Sequence, residues 1–156
     1  MADNAPDDAL ETSVLSRDEC LELLERNRFG RLAVVIGDEP PVIRPVNYAF
    51  DSHSRSIVIR TAAGSKLSAL LVSSRAAFEI DGVDADAHTG WSVIAVGACE
   101  QVTAPATIDR FQRLGLEIWA PGEKAHWVAI HVGALSGRRI SRDAVHARAV
   151  SRPAPP

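Results

Sequence analysis

Residues 29–61 read FGRLAVVIGDEPPVIRPVNYAFDSHSRSIVIRT, and the fold class turns on them. Three runs rich in β-branched and aromatic residues, 29–36, 42–50 and 56–61, alternate with the turns Gly37-Asp38-Glu39-Pro40-Pro41 and Asp51-Ser52-His53-Ser54. Val, Ile, Phe and Tyr suit a pleated, half-buried surface, while Gly, Pro, Asp and Ser supply the turn conformations between them. Turns this short leave no room for the crossover that parallel neighbours require, so the runs predict meandering antiparallel strands. Pro45 cannot donate to a ladder, which places it at an edge or a bulge.

Upstream, Ser16-Arg17-Asp18-Glu19 has the pattern of a capping box, and Cys20, Leu21 and Leu24 follow at helical spacing until Asn27 and Gly30. Downstream, Leu67, Leu70 and Leu71 share one helical face over 66–72. Strands are expected at 76–80, 91–102 and 127–135, with a polar connection over 81–90 and a bulge or close backbone approach at Gly97. Pro105 opens a helix expected to run to Trp119 before Pro121-Gly122. The order α-β-β-β-α-β-β-α-β has too few helices between strands for a doubly wound sheet. It predicts a mainly β protein, a six-stranded antiparallel barrel with peripheral helices.

The composition is that of one globular domain: 156 residues, 46% apolar and 24% charged. A chain this long buries enough surface to fold without a disulfide or metal staple. Cys20 and Cys99 sit among apolar neighbours and read as core residues in a reducing, cytoplasmic setting. No stretch reads as a signal peptide, and no apolar run is long enough to span a bilayer. The net charge of −3 argues against a general nucleic-acid binder. The ends differ in charge: residues 1–14 read as an acidic tail, 15–140 as the ordered domain, and 141–156 as an Arg- and Pro-rich tail.

The stretch Ile57-Val58-Ile59-Arg60-Thr61-Ala62-Ala63-Gly64-Ser65-Lys66-Leu67 carries the chemistry. A strand delivers Arg60, small residues allow a ligand close to the backbone, and free amides at a helix start favour an anion beside Arg60 and Lys66. The pattern points to a phosphate, without the spacing of a Walker loop. A tight strand-to-helix turn uses the same residues. Arg44-Pro45-Val46-Asn47-Tyr48 offers backbone groups outside the ladder to a planar heterocycle, and Gly90-Trp91-Ser92-Val93 opens a strand with a large aromatic whose ordinary role is core packing.

In this order and spacing, these stretches resemble the pyridoxamine 5'-phosphate oxidase-like, FMN-binding split-barrel family, especially short bacterial members that include nitroimidazole-resistance proteins. Phe29-Gly30-Arg31-Leu32-Ala33 and Phe78-Glu79-Ile80-Asp81 add to the likeness, which runs from about Leu15 to Ile140. The resemblance implies a six-stranded split barrel, a homodimer, and an FMN site at each side of the interface. Pro45, Val46 and Asn47 would border the isoalloxazine, and Arg60, Thr61 and Ala62 would line the ribityl chain and ring edge. Ser65 and Lys66 would hold the phosphate, with Trp91 and Ser92 supplied from the partner subunit or the rim. The implied activity is FMN-dependent oxidoreduction of a small organic acceptor, with a nicotinamide as candidate donor. Gly137-Arg138-Arg139-Ile140 replaces the Trp-x-x-x-Arg-Leu-x-Pro signature of true pyridoxamine phosphate oxidases, and Arg60 stands where many short relatives carry His. Oxidation of a vitamin B6 phosphate and a histidine-dependent mechanism are therefore not implied. Deazaflavin or haem in the same fold, and a cofactor-binding or sensing module without turnover, are the alternatives.

Asp81, Asp84, Asp86 and His88 lack the spacing of an EF-hand loop and read as a solvated turn. His126 and His131 would point to opposite faces of one strand, so no metal site is expected. Trp119 and Trp127 flank Pro121-Gly122-Glu123-Lys124 as candidate caps of the site or dimer, or as satellite core.

Overall fold

A computed structural model describes residues 10–35, 38, 40–62 and 75–142 of the chain. Among these, eight strands are present: β1 (Leu10–Val14), β2 (Phe29–Val34), β3 (Val42–Asn47), β4 (Ala49–Asp51), β5 (Ser56–Thr61), β6 (Arg75–Asp84), β7 (Thr89–Val102) and β8 (His126–Arg142). Helix α1 (Arg17–Arg26) precedes β2, and α2 (Pro105–Gln112) separates β7 from β8. The strands form one curled antiparallel sheet in the order β3-β2-β6-β7-β8-β5-β4, with β1 added to the end of β8. The mainly β, antiparallel barrel class holds, although the strands number more than the six expected.

Three differences account for the count and the boundaries. The run 42–50 breaks at Tyr48, whose backbone N–H leaves the ladder for the Arg28 carbonyl at 2.9 Å, giving β3 and β4. Residues 10–14, expected in the acidic tail, pair with Arg138–Arg142 as β1. The register, Leu10 opposite Arg142 and Val14 opposite Arg138, supplies a partner that composition alone could not reveal. The polar connection shrinks to a turn over 85–88, because β6 runs on to Asp84 and β7 starts at Thr89. At the end of β6, Asp84 Oδ1 accepts the Ala87 amide at 2.9 Å, whereas Asp81, expected in the same solvated turn, lies within β6 and pairs with Arg31 at 2.6 Å. Residues 1–9, the C-terminal tail beyond 142, and the helix expected over 66–72 lie outside the described residues.

Alternation along the strands builds the core. Leu32, Val34, Ile57, Ile59, Phe78, Ile80, Val93, Ala95, Val128 and Ile130 face inward, and α1 covers one end with Cys20 and Leu24. The capping box forms: Glu19 N–H donates to Ser16 Oγ at 3.3 Å, and Ser16 N–H donates back to Glu19 Oε2 at 2.9 Å. Tyr48 is buried with its hydroxyl donating to the Leu24 carbonyl at 2.8 Å, and that burial raises its pKa above the ordinary value. Strand β5 is buried on both faces. Ile57 and Ile59 enter the barrel, whereas Val58 joins Val102, Trp127 and Ala129 beneath Phe111 of α2.

The helix expected to reach Trp119 ends at Gln112. Gly115 takes the left-handed region at φ 67°, and its N–H closes a turn on Gln112. Residues 116–125 therefore continue as irregular chain. The Gly97 irregularity is present as a register shift between Val96 and Gly97 against β8.

Candidate functional site

Edge strand β3 and the end of β5 meet the irregular segment after α2 around a cleft of about 270 Å³. Arg44, Pro45, Val46 and Asn47 form one wall, Arg60, Thr61 and Ala62 a second, and Ile118, Ala120 and Lys124 a third. The fold thus brings together six residues expected to share a site: Pro45, Val46, Asn47, Arg60, Thr61 and Ala62. Pro45 sits on the edge strand, opposite Arg31, where the missing amide costs no interior ladder bond.

Charge and hydrogen bonding give the cleft its character. Its described lining carries three cations, Arg44, Arg60 and Lys124, and no carboxylate, although the whole chain is net negative. Arg60 lies over the Trp127 ring at 4.8 Å from the centroid, which fixes the plane of its guanidinium. Its Nε is buried and has no hydrogen-bond partner, and Asn47 Nδ2 is in the same state. Asn47 Oδ1 is already engaged, accepting the Trp119 backbone N–H at 3.1 Å. Buried donors are ordinarily paired, so these two, unpaired among the described residues, call for an acceptor supplied from outside.

Trp91 and Ser92 are placed elsewhere. They line a groove of about 730 Å³ with Thr12, Val83, Gly90, Arg138 and Ile140, and this groove shares no lining residue with the cleft. The Trp91 indole lies across Gly82, its partner on β6, where a Cβ would sit 2.6 Å from the indole nitrogen. Ser65 and Lys66 lie outside the described residues.

Sequence reasoning missed Ile118 and Ala120, quoted Arg44 within the Arg44–Tyr48 stretch without giving it a role, and treated Lys124 only as part of a candidate cap. The signal for the third wall was Gly115, a helix-ending glycine three residues before Ile118. Trp127, by contrast, is core: it is 7% exposed, with its ring 6.1 Å from Phe111. Of the two cysteines, Cys99 is pushed up to about 11 by burial, and Cys20 is raised chiefly for the same reason. Such thiols are protonated and inert at neutral pH. His126 and His131 are held separately, by Gln101 at 2.7 Å and by Ser56 and Glu100 at 2.9 and 2.7 Å.

The pyridoxamine 5'-phosphate oxidase family pattern matches residues 16–139. The chain belongs to this family. Among solved structures, a FAD binding protein from Mycobacterium smegmatis is similar to it at 33% identity and a TM-score of 0.71, over 81% of this chain and 98% of that one. An uncharacterized protein of Mycobacterium tuberculosis is 34% identical over 89% of this chain and 92% of its own length. A FAD and heme binding protein from Mycobacterium smegmatis shares the fold at 20% identity and a TM-score of 0.66, over 90% of this chain and 80% of that one. The split-barrel architecture of the family matches the curled sheet described above.

The cation-lined cleft with its unpaired donors suits an anionic, hydrogen-bond-accepting ligand. The chemistry of a flavin fits it. Carbonyl, nitrogen and phosphate acceptors match the unpaired Arg60 and Asn47 donors, and the three cations match a phosphate. No described helix is long and apolar enough to cross a membrane.

Proposed function

We propose that this protein is a flavin-dependent oxidoreductase that holds FMN in the cleft between β3 and β5 and passes reducing equivalents to a small organic acceptor, with a nicotinamide as donor. The observation that carries the reading is the pair of buried, unpaired donors, Arg60 Nε and Asn47 Nδ2, in a cation-lined cleft of a chain from this family. Flavin, when bound, supplies the redox step itself, which accounts for the lack of an acid–base dyad among the described lining residues. The chain's own residues bind and orient. Pro45, Val46 and Asn47 present an edge strand to a planar ring. Arg60, held on Trp127, offers Nε to an acceptor and keeps positive charge where reduction adds negative charge. Thr61 and Ala62 keep the wall narrow, and Ser65 and Lys66 are assigned to the phosphate. Trp91 and Ser92 of a second copy complete the site in a homodimer.

An absorbance spectrum of the purified protein, followed by fluorescence titration with FMN, tests this. Flavin bands, or saturable binding at one flavin per subunit, are expected. Arg60→Lys keeps the charge but loses Nε and the planar stack, so it should weaken FMN by about tenfold, equivalent to about 1.4 kcal/mol. A protein that ignores flavin while binding deazaflavin or haem overturns the cofactor assignment. Tight flavin binding with no turnover under any donor overturns the oxidoreductase reading in favour of a sensing module.

A second reading, FAD in place of FMN, is favoured by the similar Mycobacterium smegmatis protein described as FAD binding. The same titration, run with both flavins, separates the two.

A further inference from the structure

Trp119 is 65% exposed, and Phe29 beside it is 43% exposed. Their rings are stacked, with centroids 5.5 Å apart and planes 12° from parallel. Large aromatics left at a surface in this way lose the usual gain of burial, and here the pair has no core to serve. Its position is tied to the cleft at two points. Phe29 is the register partner of Asn47 across β2 and β3, and the Trp119 N–H donates to Asn47 Oδ1 at 3.1 Å. The residues on either side of Trp119, Ile118 and Ala120, belong to the cleft wall.

Phe29 therefore covers one face of the Trp119 indole, and the ring stays 65% exposed on a residue whose two chain neighbours line the cleft. We infer that the exposed ring of Trp119 is a stacking platform for the adenine of a dinucleotide flavin whose isoalloxazine occupies the cleft. This rests on the flavin reading of the cleft and selects its second form, FAD, over FMN.

Size and charge favour an adenine over a second small ring. The cleft, at about 270 Å³, is at the small end of ligand sites, so most of a dinucleotide has to lie on the surface beyond it. Arg44 and Lys124 on the cleft walls supply the cations that a pyrophosphate needs on the way out. Lys124 is steadied by donating to the Pro121 carbonyl at 3.2 Å. A pre-stacked indole takes up a nucleobase with little conformational cost, because Phe29 and the backbone contact have already fixed it.

Titration of FMN, FAD and ADP into the full-length protein and its Trp119→Ala and Trp119→Phe variants, followed by calorimetry, tests the platform. Wild type should bind FAD at least about tenfold more tightly than FMN, and ADP should compete with FAD. Trp119→Ala should weaken FAD by about tenfold while leaving FMN within about twofold, and Trp119→Phe should restore most of the difference. Thermal melts of the variants should match wild type, since the residue is exposed. Equal affinities for the two flavins, or a Trp119→Ala loss shared equally by FMN and FAD, overturns the platform and leaves the flavin cleft standing. Failure of wild type to bind either flavin overturns both.

Discussion

Asp51 is 3% exposed and still forms an ion pair, with Arg110 Nη2 at 3.0 Å and Arg110 Nε at 3.1 Å. Burial works to raise its carboxyl. Donation from Ser54 and the Arg110 guanidinium outweigh that and hold it below its ordinary value of 3.8. Through Ser54 the carboxylate reaches Ser56, and through Ser56 it reaches His131 at 2.9 Å, so the network ties the β4–β5 turn to β8 and α2. A carboxyl depressed on folding contributes stability that is complete above its unfolded value and lost as pH falls through the folded one. Asp51→Asn should therefore cost about 2 kcal/mol at pH 7, with Arg110 left without its anion. Urea melts at pH 7 and at about pH 3 check this: the gap between variant and wild type should narrow at the lower pH. A gap of equal size at both would show that charge is not its source. The lone sequence signal was a polar turn, Asp51-Ser52-His53-Ser54. Its long-range partner Arg110, 59 positions away, could not be read from local pattern.

At the scale of elements, local signals and tertiary demands agree best where both act on the same few residues. The capping box at Ser16 and the stop at Asn27 were legible because their partners lie within four positions, and α1 adopts those limits. Gly97 was legible as an anomaly inside an otherwise continuous β run. A Cβ there would collide with the His131 carbonyl oxygen and lie 2.6 Å from its carbon, so the strand needs a residue without one where β7 slips against β8. Gly97→Ala should destabilise the fold by about 3 kcal/mol, because backbone rather than a side-chain tip must move. The shift in the urea midpoint measures it, and an unchanged midpoint would mean that the bulge relocates. Signals that propagate further were harder to read. The end of α2 depended on Gly115 prevailing over helix-compatible residues that follow it. The extent of β6 and β7 depended on pairing that carries polar residues into the ladder, as Asp84 opposite Thr89 shows.

Across the whole molecule, the outer face of the sheet near the β6–β7 turn sets four exposed aliphatic residues among polar ones. Val83, Gly90, Ile140 and Thr12 lie in one cross-strand row, and Asp81, Ser92, Arg138 and Val14 in the next. Ile94 stands in the row beyond, opposite Glu79 and Ser136. Val14 and Val83 are 80% and 75% exposed, and Ile94 and Ile140 are also exposed. A cluster of this kind, around a groove of about 730 Å³, is the surface on which we place the second subunit of the proposed homodimer. Sedimentation should find a dimer for wild type, and Ile94→Glu with Val83→Asp should give a folded monomer. Because Trp91 and Ser92 border this face, flavin affinity should drop with dissociation. A wild-type monomer that binds flavin at full affinity would remove the partner from the site.

What the sequence determined by itself is everything carried by neighbours along the chain. This includes the antiparallel meander, the capped first helix, the edge position of Pro45, and the family likeness held in short motifs in fixed order. Those features follow from period, turn chemistry and capping, which act over a few residues. Only the tertiary structure decided which distant segments share a surface. It set Arg60 and Asn47 on separate walls of one cleft with their donors unpaired, added Ile118, Ala120 and Lys124 as a third wall, and stacked Trp119 on Phe29. It also recruited residues 10–14 from an acidic tail into the sheet and separated Trp91 from the cleft within one subunit. The physical reason is common to all of these. Strand register and the closing of the sheet depend on the summed burial of the whole core, and no window of sequence contains that sum.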